Sequence, residues 1–277
     1  SEPEPAQPAP SQKEEGYDST FLGSQYTVDL PKLSDEMKKD VSCMDNGSYV
    51  LDYTHFSIVM CRSRCLAYFT AVNIDGNQAV NLKRSGDSWN FDSRIPQNAQ
   101  YGNDLYAKND IDRGHLVRRL DPVWGEKAAQ ANSDTFHFTN SSPQHKNLNQ
   151  KIWLELEDYI LQNAQNHNLK VSVFTGPVFR SDDMLYRGKF KIPAEFWKVV
   201  VMVKDNGKMS ATAYLQTQKN MIENLEFAYG EYKTYQIPIS RIEEITGLDF
   251  GELSQWDPIA NIESVGMVVD TPAHIKL

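Results

Sequence analysis

The tetrapeptide Asp112-Arg113-Gly114-His115 contains the residue types best suited to catalysis in this chain. An unperturbed histidine titrates near neutrality, so His115 can accept a proton from water. Arg113 is permanently charged, and its planar donors fit the non-bridging oxygens of a phosphate. Gly114 lacks a Cβ and permits unusual dihedrals or a close approach of the backbone. These residues indicate attack of water on a phosphodiester. A surface turn with an Asp112–Arg113 ion pair is the alternative.

Two asparagines follow at the predicted ends of secondary-structure elements. Alternating residue types predict a short strand over residues 135–139, with Asn140 at its end before the turn signals of residues 141–143. Asn149 opens a predicted helix. The apolar positions of this helix recur at helical spacing and are Ile152, Trp153, Leu156, Tyr159 and Ile160. We therefore take both amides as candidate site residues alongside His115.

A metal site is predicted at the start of this helix. At about 100° per residue, Glu157 lies about 80° around the helix from Asn149 and leans back toward it. Two turns separate them, so we expect the amide oxygen of Asn149 to bind the ion and Glu157 to hydrogen-bond a metal-bound water. A hard ion that keeps most of its waters is typically Mg²⁺, for which Mn²⁺ can substitute. An N-cap at Asn149 and a solvated helix edge at Glu157 are the alternatives.

The composition fits a folded domain that positions these residues. With 277 residues and 40% hydrophobic content, the chain can bury one large α/β core or two small ones. We predict a disordered leader rich in proline and glutamate over residues 1–20, and one domain over residues 21–277. The expected fold class is α+β, layered α/β/α, with a central antiparallel sheet flanked by helices. The predicted strands are residues 56–60, 67–74, 171–174, 197–204 and 209–215. A capping box of Ser240 and Glu243 and a C-cap at Gly247 are expected to bound a short helix.

The acidic residues of the chain are unevenly distributed along the sequence. The net charge is −9, whereas a nucleic-acid-binding protein usually carries a basic surface. Residues 81–151, however, contain ten basic and eight acidic residues, and they are the least acidic part of the chain. Arg118 and Arg119 directly follow the tetrapeptide, and we predict that they contact the substrate, with an ordinary mixed surface as the alternative. Substrate binding should weaken as salt rises.

The three cysteines, Cys43, Cys61 and Cys65, are odd in number and lack zinc-site spacing. One disulfide with a free thiol would fit a secreted protein, and three thiols a cytosolic one. No segment reaches the length of a membrane-spanning helix, so no membrane association is expected.

The other prominent histidines and tryptophans are interpreted as structural. His55 is expected to form hydrogen bonds beside a strand, and His137 to lie on the surface or behind the site. Trp89, Trp124 and Trp197 are expected in core or loop packing, with base stacking by Trp124 as the alternative.

The order Asp-Arg-Gly-His, Thr-Asn-x-x-Pro-Gln, Leu-Asn-Gln and Trp-x-x-x-Glu resembles the DNA/RNA non-specific endonucleases, the Serratia-type nuclease family of the ββα-metal or His-Me finger class. Later segments are also similar to that family, namely residues 173–177, 192–193, 196–199 and 242–250. The likeness extends from roughly residue 50 to roughly residue 250. It implies a ββα-metal finger at the site.

The resemblance implies a role for each matching residue. His115 matches the general base, Asn149 the metal ligand, and Glu157 the glutamate that holds the water shell of the metal. Arg113 matches the arginine that contacts phosphate, and Asn140 the asparagine that helps to arrange the site.

The family also uses a second arginine, upstream of the tetrapeptide and near the leaving phosphate. The candidates in this sequence are Arg84 and Arg94, and we favour Arg84.

The implied function is Mg²⁺-dependent hydrolysis of double- and single-stranded DNA and of RNA, without regard to base or sugar, leaving 5′-phosphate ends. Two alternatives stay open: a phosphodiesterase or pyrophosphatase that acts on small nucleotides with the same site, and a nucleic-acid-binding protein that does not cut. We expect a secreted or periplasmic protein whose signal peptide is absent from this sequence. A homodimer is compatible with its size.

Overall fold

A large antiparallel sheet forms the centre of the protein. The computed structural model describes residues 15–84, 88–107, 111–144, 148, 150–162, 166–217 and 233–277. The strands of this part of the chain are β1 (Val50–Tyr53), β2 (Phe56–Cys61), β3 (Leu66–Asp75), β4 (Asp112–His115), β5 (Ser141–Gln144), β6 (Asn166–Pro177), β7 (Met184–Tyr186), β8 (Phe190–Ile192), β9 (Phe196–Lys204), β10 (Met209–Thr217), β11 (Lys233–Ile237) and β12 (Met267–Val268). The α-helices are α1 (Asp35–Lys38), α2 (Asn103–Tyr106), α3 (Ala128–Asp134), α4 (Gln150–Gln162) and α5 (Ile239–Thr246).

The large sheet contains eight strands in the order β1-β2-β3-β6-β9-β10-β11-β12, with every neighbouring pair antiparallel. Every residue of β2, β3 and β10 is buried, as is nearly every residue of β9. Burial on both faces fits the nearly continuous apolar runs of β2 and β9, which are rich in valine and aromatic residues. The five strands predicted for the central sheet are confirmed.

Helices cover both faces of the sheet. Successive side chains of a strand point to opposite faces. Accordingly, Val199 and Val201 of β9 pack in one core with α5, whereas Val200 and Met202 pack in a second core with α4. The layered α+β fold predicted from the sequence is therefore confirmed.

A small ββα unit lies outside the large sheet. Strands β4 and β5 form a separate antiparallel pair in which His115 lies opposite Ser141 and Gly114 opposite Ser142. Helix α4 follows β5 along the chain and packs against β6 through Trp153, Leu156 and Ile160. The unit therefore attaches to the large sheet through the apolar face of its helix.

The strand predicted over residues 135–139 is wrong. Helix α3 instead ends at Asp134, the Thr135 backbone N–H donates to Ala131 and Asn132 as the helix terminates, and a 3₁₀ turn spans Phe138–Asn140. The alternation that suggested a strand arises because Phe136 and Phe138 both pack against Trp89. Asn140 nevertheless lies directly before β5.

Two helix details also differ from expectation. The capping box is wrong, because Pro238 caps α5 and the Glu243 carboxylate accepts a hydrogen bond from the Phe250 backbone N–H at 2.9 Å. The C-cap at Gly247 is confirmed, with a left-handed φ of 80° that glycine adopts without strain. In α4, Tyr159 is exposed whereas Glu157 is buried.

The folded part begins before residue 21. Residues 1–14 of the predicted leader lie outside the described residues, but residues 15–20 are hydrogen-bonded to the sheet. The backbone N–H of Gly16 donates to Tyr53, and that of Asp18 donates to the Asn73 side chain. These bonds make residues 15–20 part of the domain, which corrects the boundary.

Cysteine pairing and membrane crossing can be assessed for the described residues. All three cysteines lie in that part of the chain, and none forms a disulfide there. No helix in the same part is long and apolar enough to cross a bilayer.

Candidate active site

Arg113 and His115 project from the same face of β4, because they are two residues apart on one strand. The indole of Trp89 contacts both. Its ring centroid lies 4.7 Å from that of His115, and the guanidinium carbon of Arg113 lies 5.1 Å from its centre. Phe136 contacts the imidazole edge-on at 4.9 Å, and Asn103 accepts a hydrogen bond from Arg113 at 3.1 Å. A proton acceptor and a permanent cation therefore lie side by side on the short strand.

Gly114 allows β4 and β5 to fit together between these two residues. A Cβ at this position would overlap the side-chain amide of Gln144, which is buried on β5. The close approach expected at Gly114 is thus made by a protein side chain. The glycine thereby keeps Arg113 and His115 on a strand that is paired without distortion.

Asn140 fastens the segment that follows His115. Its side chain is fully buried, and its Oδ1 accepts a hydrogen bond from the Val117 backbone N–H at 2.8 Å. Its Nδ2 donates to the carbonyl oxygens of Val117 and Thr135, at 2.9 and 3.0 Å. All of these partners are backbone groups, so Asn140 positions the strand and does not reach outward to a ligand.

Glu157 lies in a buried ion-pair cluster that the sequence did not predict. Its carboxylate is 2.6 Å from the ammonium nitrogen of Lys198 and accepts a hydrogen bond from Arg118 at 2.7 Å. Lys198 is fully buried on β9, where it also donates to the Thr175 hydroxyl at 3.0 Å. Glu157 is therefore held in place by a helix, a strand and the segment that follows β4.

The charges in this cluster determine which carboxyl group is ionised. Burial by itself raises the pKa of a carboxyl group, but the positive charges of Lys198 and Arg118 outweigh it and hold the pKa of Glu157 below its ordinary value. Burial and the negative charge of Glu157 hold the pKa of Asp121 well above its ordinary value. Glu157 is accordingly the carboxyl group of the pair that loses its proton more readily, and Asp121 is the one that holds its proton more tightly.

Arg118 and Arg119 have internal partners, whereas the sequence predicted substrate contacts for both. Besides Glu157, the Arg118 guanidinium lies 3.7 Å from a carboxylate oxygen of Asp121 and of Asp158. Arg119 donates to the Leu82 carbonyl oxygen at 3.2 Å. Arg118 thus orients Glu157, and Arg119 fastens the chain near Arg84.

The two candidates for the second arginine differ in their surroundings. Arg94 binds the buried carboxylate of Asp92 and lies over the ring of Tyr53 at 4.9 Å. The Tyr53 hydroxyl in turn bonds Asp92 and lies 2.8 Å from the Thr139 hydroxyl, beside Asn140. Arg94 is therefore part of the scaffold. The side chain of Arg84 is exposed, which keeps it as the candidate for phosphate contact.

The remaining aromatic candidates have structural partners. His55 stacks on Trp124 at 3.5 Å and its Nδ1 is 2.8 Å from the Pro122 carbonyl oxygen, as expected for a structural histidine. His137 packs on Tyr53 and lies behind the site. Trp124 also donates from its indole to the Asn73 carbonyl oxygen at 2.9 Å, so it serves in packing.

The donor set fits a largely hydrated hard cation. Asn149, the predicted direct ligand, lies outside the described residues. Across the described ranges no group of three His, Cys, Asp or Glu side chains could enclose a metal ion. Glu157 is an anionic oxygen donor in the middle of α4, about two turns after the helix begins, and an amide oxygen with one carboxylate suits Mg²⁺, which keeps several waters.

Trp89, Lys198 and Asp121 are parts of the candidate site that the sequence did not predict. One signal was present for Lys198: a charged residue within the apolar strand β9 requires a buried partner of opposite charge. Trp89 carried no such signal, because its contact with His115 joins residues that are far apart in the sequence.

The sequence and the fold of this chain match known proteins. A family model described as DNA/RNA non-specific endonuclease matches residues 33–255. An uncharacterized protein y4fB of Sinorhizobium fredii is 40% identical over 292 residues, which cover 95% of this chain and 42% of that protein. A nuclease of Nostoc sp. is 24% identical over 206 residues, covering 73% of each chain. This chain thus spans less than half the length of the Sinorhizobium relative.

A solved structure shows the same fold. A chain in the crystal structure of the EndoG/EndoGI complex superposes with a TM-score of 0.59 at 18% identity, covering 74% of this chain and 86% of that chain. The family match extends over most of the sequence and includes the ββα unit with His115. The chain belongs to the DNA/RNA non-specific endonuclease family, whose members hydrolyse phosphodiester bonds.

Proposed function

We propose that this protein is a Mg²⁺-dependent endonuclease that hydrolyses DNA and RNA without regard to sequence, with His115 as the general base. The observation that carries the proposal is the placement of His115 and Arg113 side by side on β4, both against Trp89. Family membership supports the class of reaction.

The residues divide the chemistry between them. His115 takes a proton from the water whose oxygen bonds to phosphorus, and the bond from phosphorus to the 3′-oxygen breaks. Arg113 is exposed and has no carboxylate partner among the described residues, so its charge is available to the non-bridging oxygens as negative charge develops. The departing 3′-oxygen takes a proton from solvent. The products then carry 5′-phosphate and 3′-hydroxyl ends.

Asn149 and Glu157 are the residues that would hold the metal. When bound, Mg²⁺ supplies Lewis-acid stabilisation of charge on the phosphate and on the leaving oxygen. Arg118 and Lys198 keep Glu157 ionised and fixed, so the carboxylate can accept hydrogen bonds from water around the ion. Mn²⁺ should substitute, because it accepts the same oxygen donors.

Indifference to sequence and sugar follows from which groups act. The proposed contacts are made to the phosphate and to the attacking water, and neither differs between bases. Arg113, with Arg84 as the second phosphate contact, gives few charge contacts, so binding should be sensitive to salt.

The first experiment incubates supercoiled plasmid and, separately, structured RNA with the protein in Mg²⁺, in Mn²⁺ and in excess chelator. His115→Ala is compared with wild type, and His55→Ala is the matched control because His55 is structural. We expect degradation of both polymers only with metal, and at least a hundredfold loss in His115→Ala. Intact polymers with wild-type protein across a range of salt would refute the proposal.

A second experiment separates the proposal from the two alternatives. End-labelling before and after phosphatase treatment identifies 5′-phosphate ends, and a small phosphodiester serves as competitor substrate. Cleavage of the small diester without cleavage of polymers would favour the small-nucleotide enzyme. Binding of labelled DNA by wild type without cleavage in either metal would favour the non-cutting protein.

Location and oligomeric state form part of the same proposal. We infer secretion or a periplasmic location from the family resemblance and the proline-rich leader, which cell fractionation tests. Light scattering of the purified protein distinguishes a monomer from a homodimer.

A further inference from the structure

Trp89 joins the two residues proposed to perform the chemistry. Its indole lies 4.7 Å from the imidazole of His115 and 5.1 Å from the guanidinium of Arg113. The indole also contacts Phe136 edge-on at 5.2 Å and is stacked on Phe138 at 6.1 Å. Trp89 thus packs against two phenylalanines and against both catalytic candidates.

The backbone around Trp89 is fixed independently of these contacts. The next residue, Asn90, donates from its backbone N–H to the Phe136 carbonyl oxygen at 3.0 Å, and its own carbonyl oxygen accepts from the Phe138 N–H at 2.9 Å. These two bonds form a parallel bridge between Asn90 and His137. The backbone hydrogen bonds of Asn90 therefore hold the indole of Trp89 in place, so that other side chains can pack against it in one position.

Arg113 needs such a surface, because its side chain is exposed and long. Its other described contacts are a hydrogen bond to Asn103 at 3.1 Å and the ring of Tyr106 at 5.8 Å. A guanidinium over an indole face is attracted by the electron-rich ring, and this attraction restricts the rotamers of the arginine. The N–H donors lie at the edge of the guanidinium plane, and one of them donates to Asn103.

His115 is enclosed on two sides by aromatic rings. Phe136 meets the imidazole edge-on, with an interplanar angle of 87°, while Trp89 meets it at 53°. Two walls in different orientations limit rotation of the ring about its side-chain torsions. Its nitrogen atoms are thereby directed to a narrow range of positions for the attacking water.

We propose that Trp89 is a positioning residue that fixes the imidazole of His115 and the guanidinium of Arg113 relative to one another. This inference rests on the proposed function of the site. Trp89 does not itself take part in bond making. Its loss should lower kcat and change KM little, because Arg113 and Arg84 keep their charges for the phosphates and only the alignment of His115 and Arg113 with the reacting phosphate is lost.

The test compares Trp89→Phe and Trp89→Leu with Phe91→Leu. Phe91 is the matched control, since it belongs to the same aromatic cluster and packs on Phe138 at 4.7 Å. We expect kcat on DNA to fall roughly five- to fiftyfold in Trp89→Leu, less in Trp89→Phe, with KM within about twofold of wild type. Phe91→Leu should retain the wild-type kcat.

A second readout is independent of activity. The chain has six histidines, and the NMR signal of the His115 imidazole can be assigned by its absence in His115→Ala. The ring current of the indole should displace this signal, so it should move in both Trp89 variants and not in Phe91→Leu. This NMR measurement tests the contact between Trp89 and His115 even if the wild-type protein proves to have no nuclease activity.

Three results would overturn the proposal. A rise in KM with kcat unchanged would make Trp89 a platform for substrate bases. A His115 signal that stays at the wild-type position in Trp89→Phe would mean that the two rings are not in contact in solution. Equal losses of kcat in Trp89→Leu and Phe91→Leu would mean that Trp89 acts only through the packing of the aromatic cluster.

Discussion

Replacement of Asn140 by alanine tests the most connected side chain behind the site. The amide makes three buried hydrogen bonds, one from the Val117 N–H and two to the carbonyl oxygens of Val117 and Thr135. Each contributes about 1 kcal/mol net, and each buried backbone group left without a partner costs about 1–3 kcal/mol. With three backbone groups losing this partner, we expect Asn140→Ala to lower the free energy of unfolding by at least about 3 kcal/mol.

Urea unfolding followed by circular dichroism measures this change, and kcat is then measured well below the unfolding midpoint. We expect kcat to fall as well, because Val117 lies two residues after His115 on the same segment. Asn98→Ala is the control, since Asn98 is exposed, and it should change stability by less than about 0.5 kcal/mol.

Asn140→Asp tests the same hydrogen bonds through the pH dependence of stability. An ionised carboxylate would face two carbonyl oxygens in a buried site, so the pKa of the introduced acid should rise in the folded state. When the folded state raises a pKa, the free energy of unfolding is highest below the pKa of the unfolded chain, which is about 3.9 for aspartate. It falls as the pH rises through the pKa of the folded state. The variant should therefore lose more stability at pH 8 than at pH 5. Wild-type stability of Asn140→Asp at pH 8, or a loss below about 1 kcal/mol in Asn140→Ala, would refute the reasoning.

Further predictions concern the close strand contact and the buried charge cluster. Gly114→Ala should reduce activity and stability through overlap with Gln144, and the added change Gln144→Ser should recover part of both; failure of the double variant to recover stability would place the strain elsewhere. Glu157→Gln should cost about 3–5 kcal/mol at pH 7 because it leaves buried cations without a counter-charge. Asp121→Asn should cost less, because burial and the charge of Glu157 already disfavour the ionised form of Asp121; equal losses in urea unfolding would contradict this assignment. Because the folded pKa of Glu157 is lowered, its contribution to stability is present above its unfolded value of about 4.3 and is lost as pH falls toward the folded value, which acid unfolding of wild type against Glu157→Gln measures. Lys198→Met should weaken Mg²⁺ binding more than Lys198→Arg does, because only arginine keeps a positive charge that holds Glu157 in place. Calorimetry in the His115→Ala protein measures the affinity, and equal affinities of the two variants would mean that Lys198 does not support the metal site.

The local pattern of apolar residues predicted strands correctly where both faces of the strand are buried. The predicted strands of the large sheet are present because continuous apolar runs can be buried only between two layers. The strand predicted before Asn140 failed because alternation over five residues also arises when two phenylalanines of a turn pack on the same tryptophan. Tyr159, expected on the apolar face of α4, is exposed. Glu157 is buried, which excludes the alternative of a solvated helix edge, because Lys198 and Arg118 supply the counter-charge that makes burial of a carboxylate tolerable.

The sequence by itself determined the family and predicted the chemistry, because residue types suited to catalysis at a characteristic spacing are a local property of the chain. His115, Arg113 and the glycine between them are consecutive, and their side-by-side placement follows from one short strand. Only the tertiary structure decided which side chains hold the candidate site residues, including Glu157. Trp89 and Lys198 reach the site from distant segments, and Arg118 turns inward to a buried carboxylate. Such contacts depend on how the layers pack, and packing joins residues that no spacing in the sequence connects.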